Sequence, residues 1–110
     1  MEILRRGDIV SAVLAGDYGK PRPALVMQDD AFYEIPSLTL LPLTSDLGNS
    51  PLVRIVVEPS LHNGLAKRSN IMIDKAQTVN RSKIGYRIGT LDAATMQAAS
   101  MALARFLGWE

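Results

Sequence analysis

The sequence contains no cysteine and only one histidine, His62. Without thiols the chain cannot form a disulfide, use a cysteine nucleophile or bind a metal through thiolates. One histidine excludes acid–base mechanisms that need a histidine pair, and the turn-like residues around it predict a surface position. No run of about 18 apolar residues occurs, so no membrane-spanning helix is expected. The N-terminus lacks the pattern of a secretory signal, and we expect a cytoplasmic protein.

Motifs for metals and nucleotides are also missing. The chain has no HExxH, no CxxC, no cluster of carboxylates and no glycine-rich phosphate loop. We therefore expect neither a metal nor a cofactor. With 110 residues, 47% of them hydrophobic and 21% charged, the chain is expected to form one globular domain, residues 1–110, around one core.

Short apolar runs separated by turn residues predict a β-rich fold. Six strands are expected at residues 8–14, 23–27, 37–43, 52–57, 70–73 and 76–79, with a short seventh at 86–91. Pro42 indicates a bulge or the end of the third strand. Short strands with little helix between them are typical of a strongly curved sheet or a small barrel.

The C-terminal part of the chain has a helical pattern instead. Asp92 is a suitable N-cap for the alanine-rich residues that follow, and Gly108 is expected to stop the helix. A stripe of apolar residues at helical spacing predicts that one face packs on the sheet: Met96, Ala99, Leu103 and Phe106.

Positive charge is concentrated in one segment. From Lys67 to Arg87 there are six cations and one acid, Asp74, although the net charge of the whole chain is only +1. Such a segment is a candidate binding surface for a polyanion. The alternative is a solvated face whose cations pair with Asp29, Asp30 or Glu34.

Arg22 lies between Pro21 and Pro23 at the entrance to the second predicted strand. Proline fixes its own φ near about −65° and restricts the preceding residue to extended conformations, so Arg22 is held extended from both sides. Because proline is tolerated at a strand's first residue, we expect the strand to begin at Pro23. Arg22 is then either a solvated surface arginine or a fixed guanidinium that clamps a phosphate.

Thr44 stands where the third predicted strand opens into a polar loop, within LLPLTSD at residues 40–46. A hydroxyl donor at such a position suits the charge that develops on the oxygens of a reacting phosphate. The same position also suits a threonine whose side chain caps a turn. The residues alone leave both interpretations open.

Several blocks, taken in order, resemble the MazF/PemK family of bacterial toxins. They are RGDIV at residues 6–10, PRPALVM at 21–27, LLPLTSD at 40–46, Asn-Gly-Leu at 63–65, DKAQTV at 74–79 and Gly-Thr-Leu at 89–91. The resemblance covers nearly the whole chain. It implies a mainly β fold with a C-terminal helix, a small and strongly curved SH3-like β-barrel.

The resemblance also implies a function. Members of the family are toxins of type II toxin–antitoxin systems and act as sequence-specific, metal-independent endoribonucleases on single-stranded mRNA. They leave 2′,3′-cyclic phosphate and 5′-hydroxyl ends and arrest growth. The family's catalytic pair corresponds to Arg22 and Thr44 here. The expected partners are a second copy of the chain and a cognate antitoxin whose acidic tail competes with RNA.

The first loop departs from the family pattern. Many members have a longer loop with Glu-Gln before the arginine, and a tryptophan where this chain has Ser11. The cleavage sequence therefore does not transfer. Tyr18 and Lys20 are the expected substitutes, for base stacking and phosphate contact respectively. The other predicted RNA-binding residues are Ser45, Lys75, Gln77 and Arg81.

Two other functions remain open at this point. CcdB toxins, which poison DNA gyrase by binding it, share this fold and use a C-terminal tail rich in tryptophan and glycine. The present chain ends in FLGWE, residues 106–110, a superficial likeness. The third possibility is an RNA-binding module of the same fold that has lost catalysis.

Overall fold

The computed structural model describes residues 3–48 and 50–109 of the chain. Glu110, the last residue of the C-terminal tail, lies outside the described residues. Within these ranges the structure has seven strands and one α-helix: β1 (Asp8–Val13), β2 (Pro21–Val26), β3 (Ser37–Thr44), β4 (Arg54–Val57), β5 (Ser69–Met72), β6 (Gln77–Asn80), β7 (Ile84–Thr90) and α1 (Ala93–Phe106). The predicted mainly β fold with a C-terminal helix is confirmed.

All seven predicted strands are present, with shifted ends. Three short 3₁₀ helices that the sequence pattern did not indicate account for part of the shifts: Asp30–Phe32, Ile73–Lys75 and Arg81–Lys83. The second of these takes Ile73 out of β5, and the third ends where β7 begins. The last strand is therefore longer than the predicted residues 86–91.

The strands form one antiparallel sheet in the order β4-β5-β3-β2-β1-β7, with β6 also paired to β3. Within the described residues the two end strands, β4 and β7, do not pair with each other, so the sheet is open and not a closed barrel. One edge of β3 serves two partners. Residues 37–40 pair with β6, and residues 43–44 pair with β5.

Pro42 neither bulges nor ends β3, contrary to expectation. Met27 N donates to Thr39 O, so the odd-numbered residues of β3 direct their backbone groups toward β2. The nitrogen of Pro42 therefore faces the opposite edge, at the gap between the β6 and β5 ladders. No ladder hydrogen bond is lost there, and the strand continues to Thr44.

The central strands are buried on both faces, so the expectation of a single core is wrong. Successive residues of a strand point to opposite faces, and neighbours such as Leu40 and Leu41 enter different clusters. Helix α1 covers the first cluster through the fully buried Ala99. Val79 of β6 and Ile84 of β7 pack against the second.

Helix α1 begins and ends as its sequence predicts. Asp92 is the N-cap, and Gly108 follows the helix with a positive φ of 83° that favours glycine. Met96 and Leu103 pack against the first cluster as expected. Phe106, the last residue of the helix, does not pack against this cluster, and 52% of its surface is exposed.

The capping bond makes part of the stability depend on pH. Asp92 Oδ2 accepts hydrogen bonds from the backbone N–H and the hydroxyl of Thr95, and these bonds lower the pKa of Asp92. A lowered pKa stabilises the fold above the carboxyl's unfolded pKa, and this contribution is lost as pH falls through the folded pKa.

We therefore expect Asp92→Ala to be less stable than the wild type at about pH 7, and this difference to shrink at about pH 3. Asp92→Asn is the matched control, because asparagine caps as well as aspartate and carries no charge. The measurement is denaturant unfolding of the three proteins at both pH values. An equal deficit of Asp92→Ala at both would contradict the capping assignment.

Candidate active site

The β2–β3 ladder ends early, and two prolines are the reason. Paired residues run from Val26–Leu40 to Ala24–Pro42. Met27 N donates to Thr39 O, so the odd-numbered residues of β2 are those that direct amides toward β3. Each of the next two rungs would need one of its two hydrogen bonds from the amide of residue 23 or 21, and both residues are prolines, which have no amide hydrogen. The two strands separate there.

The prolines do not disturb the other neighbour of β2. Pairing with β1 runs from Leu25 to Pro21, because the nitrogens of residues 21 and 23 face away from β1. The strand therefore begins at Pro21, and the prediction that it begins at Pro23 is wrong. Arg22 lies inside the strand, opposite Ala12. Its extended backbone conformation is confirmed.

Arg22 is held by its side chain as well. Its Nη2 donates to Asp17 Oδ1 at 2.8 Å. The Arg22 side chain is 35% exposed and that of Asp17 only 14%. The interpretation of Arg22 as a freely solvated arginine is therefore wrong. A guanidinium has five N–H donors, so one bond to Asp17 orients the group and leaves other donors available.

Thr44 is the last residue of β3, and its side chain makes the turn cap that one of the two sequence interpretations expects. Its Oγ1 accepts a hydrogen bond from Asp46 N at 3.1 Å, the expected bond of a turn cap. This bond fixes the hydroxyl oxygen and leaves its proton free to be donated. The β2–β3 register, continued by two residues beyond Ala24–Pro42, puts Thr44 across from Arg22 on the same face of the sheet.

A cleft of about 320 Å³ lies where the two strands separate. Arg22, Thr44 and the predicted Ser45 all line it, so the structure brings these three together. The cleft is partly apolar and partly polar, and its other lining residues are Pro23, Leu43, Leu65, Ala66, Lys67 and Ser69.

The segment from Leu65 to Lys67 is held against the cleft by Asn63. The Asn63 side chain is buried and both of its polar atoms are hydrogen-bonded: Oδ1 accepts from Ser60 N and Leu65 N at 3.0 Å, and Nδ2 donates to Glu58 O at 2.9 Å. Gly89 permits this arrangement, because a Cβ there would lie 2.4 Å from the Asn63 carbonyl. A buried amide with every group satisfied makes a rigid support.

Two predicted RNA-binding residues lie on the β1–β2 loop that carries Asp17. Tyr18 is fully exposed and has a positive φ of 53°, between Gly16 and Gly19, which also have positive φ. Lys20 is exposed beside β2, and its backbone N–H donates to Asp17 O at 3.0 Å. Neither side chain lines the cleft.

The remaining predicted residues lie outside the cleft and have other contacts. Lys75 is 3.8 Å from Asp74. Gln77 Oε1 accepts from Ala15 N at 3.1 Å and so supports the base of the β1–β2 loop. Arg81 donates to the carbonyls of Tyr33 and Ile35, at the opposite end of β3 from Thr44.

The basic segment does not form one surface. Among the described residues its ion pairs join Arg68 to Glu58, Lys75 to Asp74 and Arg87 to Asp8, and none of these acids is one expected from the sequence. Asp74, its one acid, has a lowered pKa. Burial, the largest single influence, raises this pKa, but the hydrogen bond from Arg54 and the charges of Arg54 and Lys75 together outweigh it. Lys67 is the cation of this segment that lines the cleft.

Asp17, Asn63 and Lys67 were missed as site residues. Asp17 is the one acid between β1 and β2, which is a signal the sequence does contain. His62 is exposed, as predicted. Among residues 3–48 and 50–109, no three His, Cys, Asp or Glu side chains gather in an arrangement that could hold a metal ion. No helix in these ranges has the length and apolar character needed to cross a membrane.

Comparisons with known proteins agree on one family. The model of the PemK-like, MazF-like toxins of type II toxin–antitoxin systems matches residues 5–107. The chain is 45% identical over 106 residues to a probable endoribonuclease MazF of Mycolicibacterium smegmatis, a match that covers 96% of this chain and 97% of the relative. The chain therefore belongs to the PemK-like, MazF-like toxin family.

Solved structures share the fold. The Mycobacterium tuberculosis toxin MazF-mt6 aligns with a TM-score of 0.80 at 24% identity, over 94% of this chain and 98% of that one. MazF from Deinococcus radiodurans aligns with a TM-score of 0.80 at 19% identity, over 98% and 99%. A mycobacterial endoribonuclease in complex with its cognate antitoxin aligns at 0.77 and 22% identity, over 100% and 98%.

The Asp17–Arg22 ion pair gives a direct test of the site geometry. We expect Asp17→Ala to release the Arg22 guanidinium, because its one side-chain anchor is then removed. The measurement is the relaxation of the arginine side-chain Nε–H signals by NMR, with the Arg22 signal assigned through Arg22→Lys. Asp46→Ala is the control, because it removes the side-chain bond to Gly48 N and keeps the Asp46 backbone N–H. An equally ordered Arg22 in Asp17→Ala would contradict the anchoring role.

Proposed function

We propose that this protein is the toxin of a type II toxin–antitoxin system and cleaves single-stranded mRNA as a sequence-specific, metal-independent endoribonuclease that arrests growth in the cytoplasm. One observation carries the proposal: Arg22 and Thr44 line a single cleft at the point where β2 and β3 separate. The name of the Mycolicibacterium smegmatis relative, probable endoribonuclease MazF, supports the same activity.

The reaction uses the RNA's own 2′-hydroxyl as nucleophile. Its oxygen forms a bond to the adjacent phosphorus while the bond from phosphorus to the 5′ oxygen breaks. The 2′ oxygen loses a proton and the departing 5′ oxygen gains one, so the products are a 2′,3′-cyclic phosphate and a 5′-hydroxyl. Arg22 assists this proton transfer and holds the phosphoryl oxygens, and Thr44 donates its hydroxyl proton to the developing charge.

Preorganisation is the contribution of the fold. The Arg22 backbone is fixed in β2 and its guanidinium is anchored on Asp17, so little freedom is lost when it grips a phosphate. The Thr44 oxygen is likewise fixed by Asp46 N. Both donors are therefore oriented before RNA arrives, which is the condition under which such groups stabilise a transition state most effectively.

RNA binding is proposed to centre on the cleft. Lys67 and Ser45 line it and can contact the phosphates that flank the scissile bond. Tyr18 is exposed on the neighbouring loop, where a base can stack on its ring, and Lys20 follows it. Lys75, Gln77 and Arg81 stay predictions, which require the RNA to extend beyond the cleft.

The proposed partners are a second copy of the chain and an antitoxin with an acidic tail. The mycobacterial complex with its cognate antitoxin supports the antitoxin. Exposed apolar side chains on α1 and near it support an interface: Leu52, Met101, Phe106, Leu107 and Trp109. A tail that competes with RNA would pair its carboxylates with Lys67 and the free donors of Arg22.

The test is incubation of the purified protein with long single-stranded RNA in EDTA, followed by mapping of the product ends. We expect wild-type protein to cut at one short sequence. Arg22→Ala should lose about 100-fold or more in rate, because the fixed charge at the phosphate is gone. Thr44→Val, which keeps the shape and removes the hydroxyl, should lose about 10- to 100-fold.

Lys83→Ala is the matched control, since Lys83 belongs to the basic segment but lies in the 3₁₀ helix Arg81–Lys83, at the opposite end of β3 from Thr44. It should cut at the wild-type rate. Normal cleavage by Arg22→Ala would overturn the site assignment. No cleavage by folded wild-type protein on several RNAs would overturn the enzyme, and a DNA supercoiling assay would then test gyrase poisoning. Salt-sensitive RNA binding without cleavage would indicate the inactive binding module.

A further inference from the structure

Asn70 is a buried residue whose side-chain amide is only half satisfied. It lies in β5 and is 1% exposed. Its Nδ2 donates to Leu47 O at 2.8 Å. Its Oδ1 is buried and has no hydrogen-bond partner among the described residues. A buried carbonyl without a partner costs stability, so an apolar side chain of similar shape would suit the fold at least as well.

Asn63 provides the contrast within the same chain. Its side chain is also buried, but its Oδ1 accepts two backbone hydrogen bonds and its Nδ2 donates one. The presence of a buried asparagine at position 63 is explained by stability, because both polar atoms of its amide form hydrogen bonds. Stability does not account for Asn70, since the carbonyl end of this amide has no partner among residues 3–48 and 50–109.

The position of Asn70 points to the cleft. In the β3–β5 ladder Asn70 lies directly opposite Thr44, so the two side chains are on the same face of the sheet and close together. The β2–β3 register ends at Ala24–Pro42, and its continuation along both strands leads to Arg22 as the next position in the same row. Asn70 is thus the buried neighbour of Thr44, on the side away from Arg22.

Asn70 also holds the segment that follows Thr44. Leu47 O, the acceptor of its Nδ2 bond, lies three residues beyond Thr44 in the same loop as Asp46, whose N–H fixes the Thr44 oxygen. Loss of the Asn70 bond would release Leu47. The Asp46 amide, and with it the Thr44 hydroxyl, would then lose its fixed position.

We propose that Asn70 is a positioning residue for RNA cleavage, which sets the Thr44 hydroxyl by clamping the loop at Leu47. The inference rests on the proposed function of the cleft. Asn70 itself is buried and touches no substrate. An amide that donates to Leu47 also brings a carbonyl into the sheet, and this carbonyl, which has no partner among the described residues, lowers the stability of the fold.

The test compares Asn70→Leu with wild-type protein in the RNA cleavage assay. Leucine keeps the branched shape and removes both the bond to Leu47 and the unpaired carbonyl. We expect kcat to fall about 10- to 100-fold with KM unchanged, because the substrate still binds while the donor is misplaced. We expect thermal stability to stay equal or rise. Amide hydrogen exchange in residues 45–48 should become faster.

Two further variants make the outcome decisive. Asn70→Ala, which removes the amide without adding bulk, should show the same fall in kcat at unchanged KM. Asn80→Leu is the matched control at an asparagine that bonds Ser82 N, away from the cleft, and it should cut normally. A wild-type kcat in either Asn70 variant would overturn this inference and leave the proposed function standing. So would a loss of activity that follows the unfolded fraction of both variants. No cleavage by the wild type would overturn the proposed function, and this inference with it.

Discussion

The separation of β2 from β3 depends on amide hydrogens that two residues lack. Beyond Ala24, the residues of β2 that would donate to β3 are Pro23 and Pro21. The same prolines face away from β1, so β2 stays firmly paired on its other edge. One strand is thereby rigid on one side and open on the other. Because the prolines lack amide hydrogens, the opening leaves fewer backbone donors without a partner, and such donors are costly when buried.

The groups around the opening are positioned by short polar contacts with the loops. Asp17 anchors the guanidinium of Arg22, and Asp46 N fixes the Thr44 oxygen. Asn63 supports the wall that carries Lys67, and Asn70 holds the loop beyond Thr44. Each of these contacts joins a loop to the hydrophobic sheet, whose central strands are buried on both faces. These bonds to the rigid sheet fix the positions of the loop residues that can contact a ligand.

Short-range sequence patterns predicted the features that depend on neighbouring residues, namely the strands and the helix. Apolar runs and turn residues located all seven strands, and the Asp92 cap and Gly108 located the helix. The proline pair and the strand-to-loop position drew attention to Arg22 and Thr44. Their meeting in one cleft depends on the β2–β3 register, which only long-range pairing determines. The contacts of Gln77 and Arg81 with distant loops were not visible either, because they join residues more than 45 positions apart.

NMR of the Pro21→Ala, Pro23→Ala double variant would show whether the two prolines keep β2 and β3 apart. Restored amides at both positions should extend the β2–β3 ladder. We expect slow hydrogen exchange at the amide of residue 23 and a short Hα–Hα contact between Arg22 and Thr44. RNA cleavage should be lost, because the cleft closes. An unprotected amide at residue 23, with no contact between Arg22 and Thr44 and unchanged cleavage, would contradict this expectation. The prolines would then not be what keeps the site open.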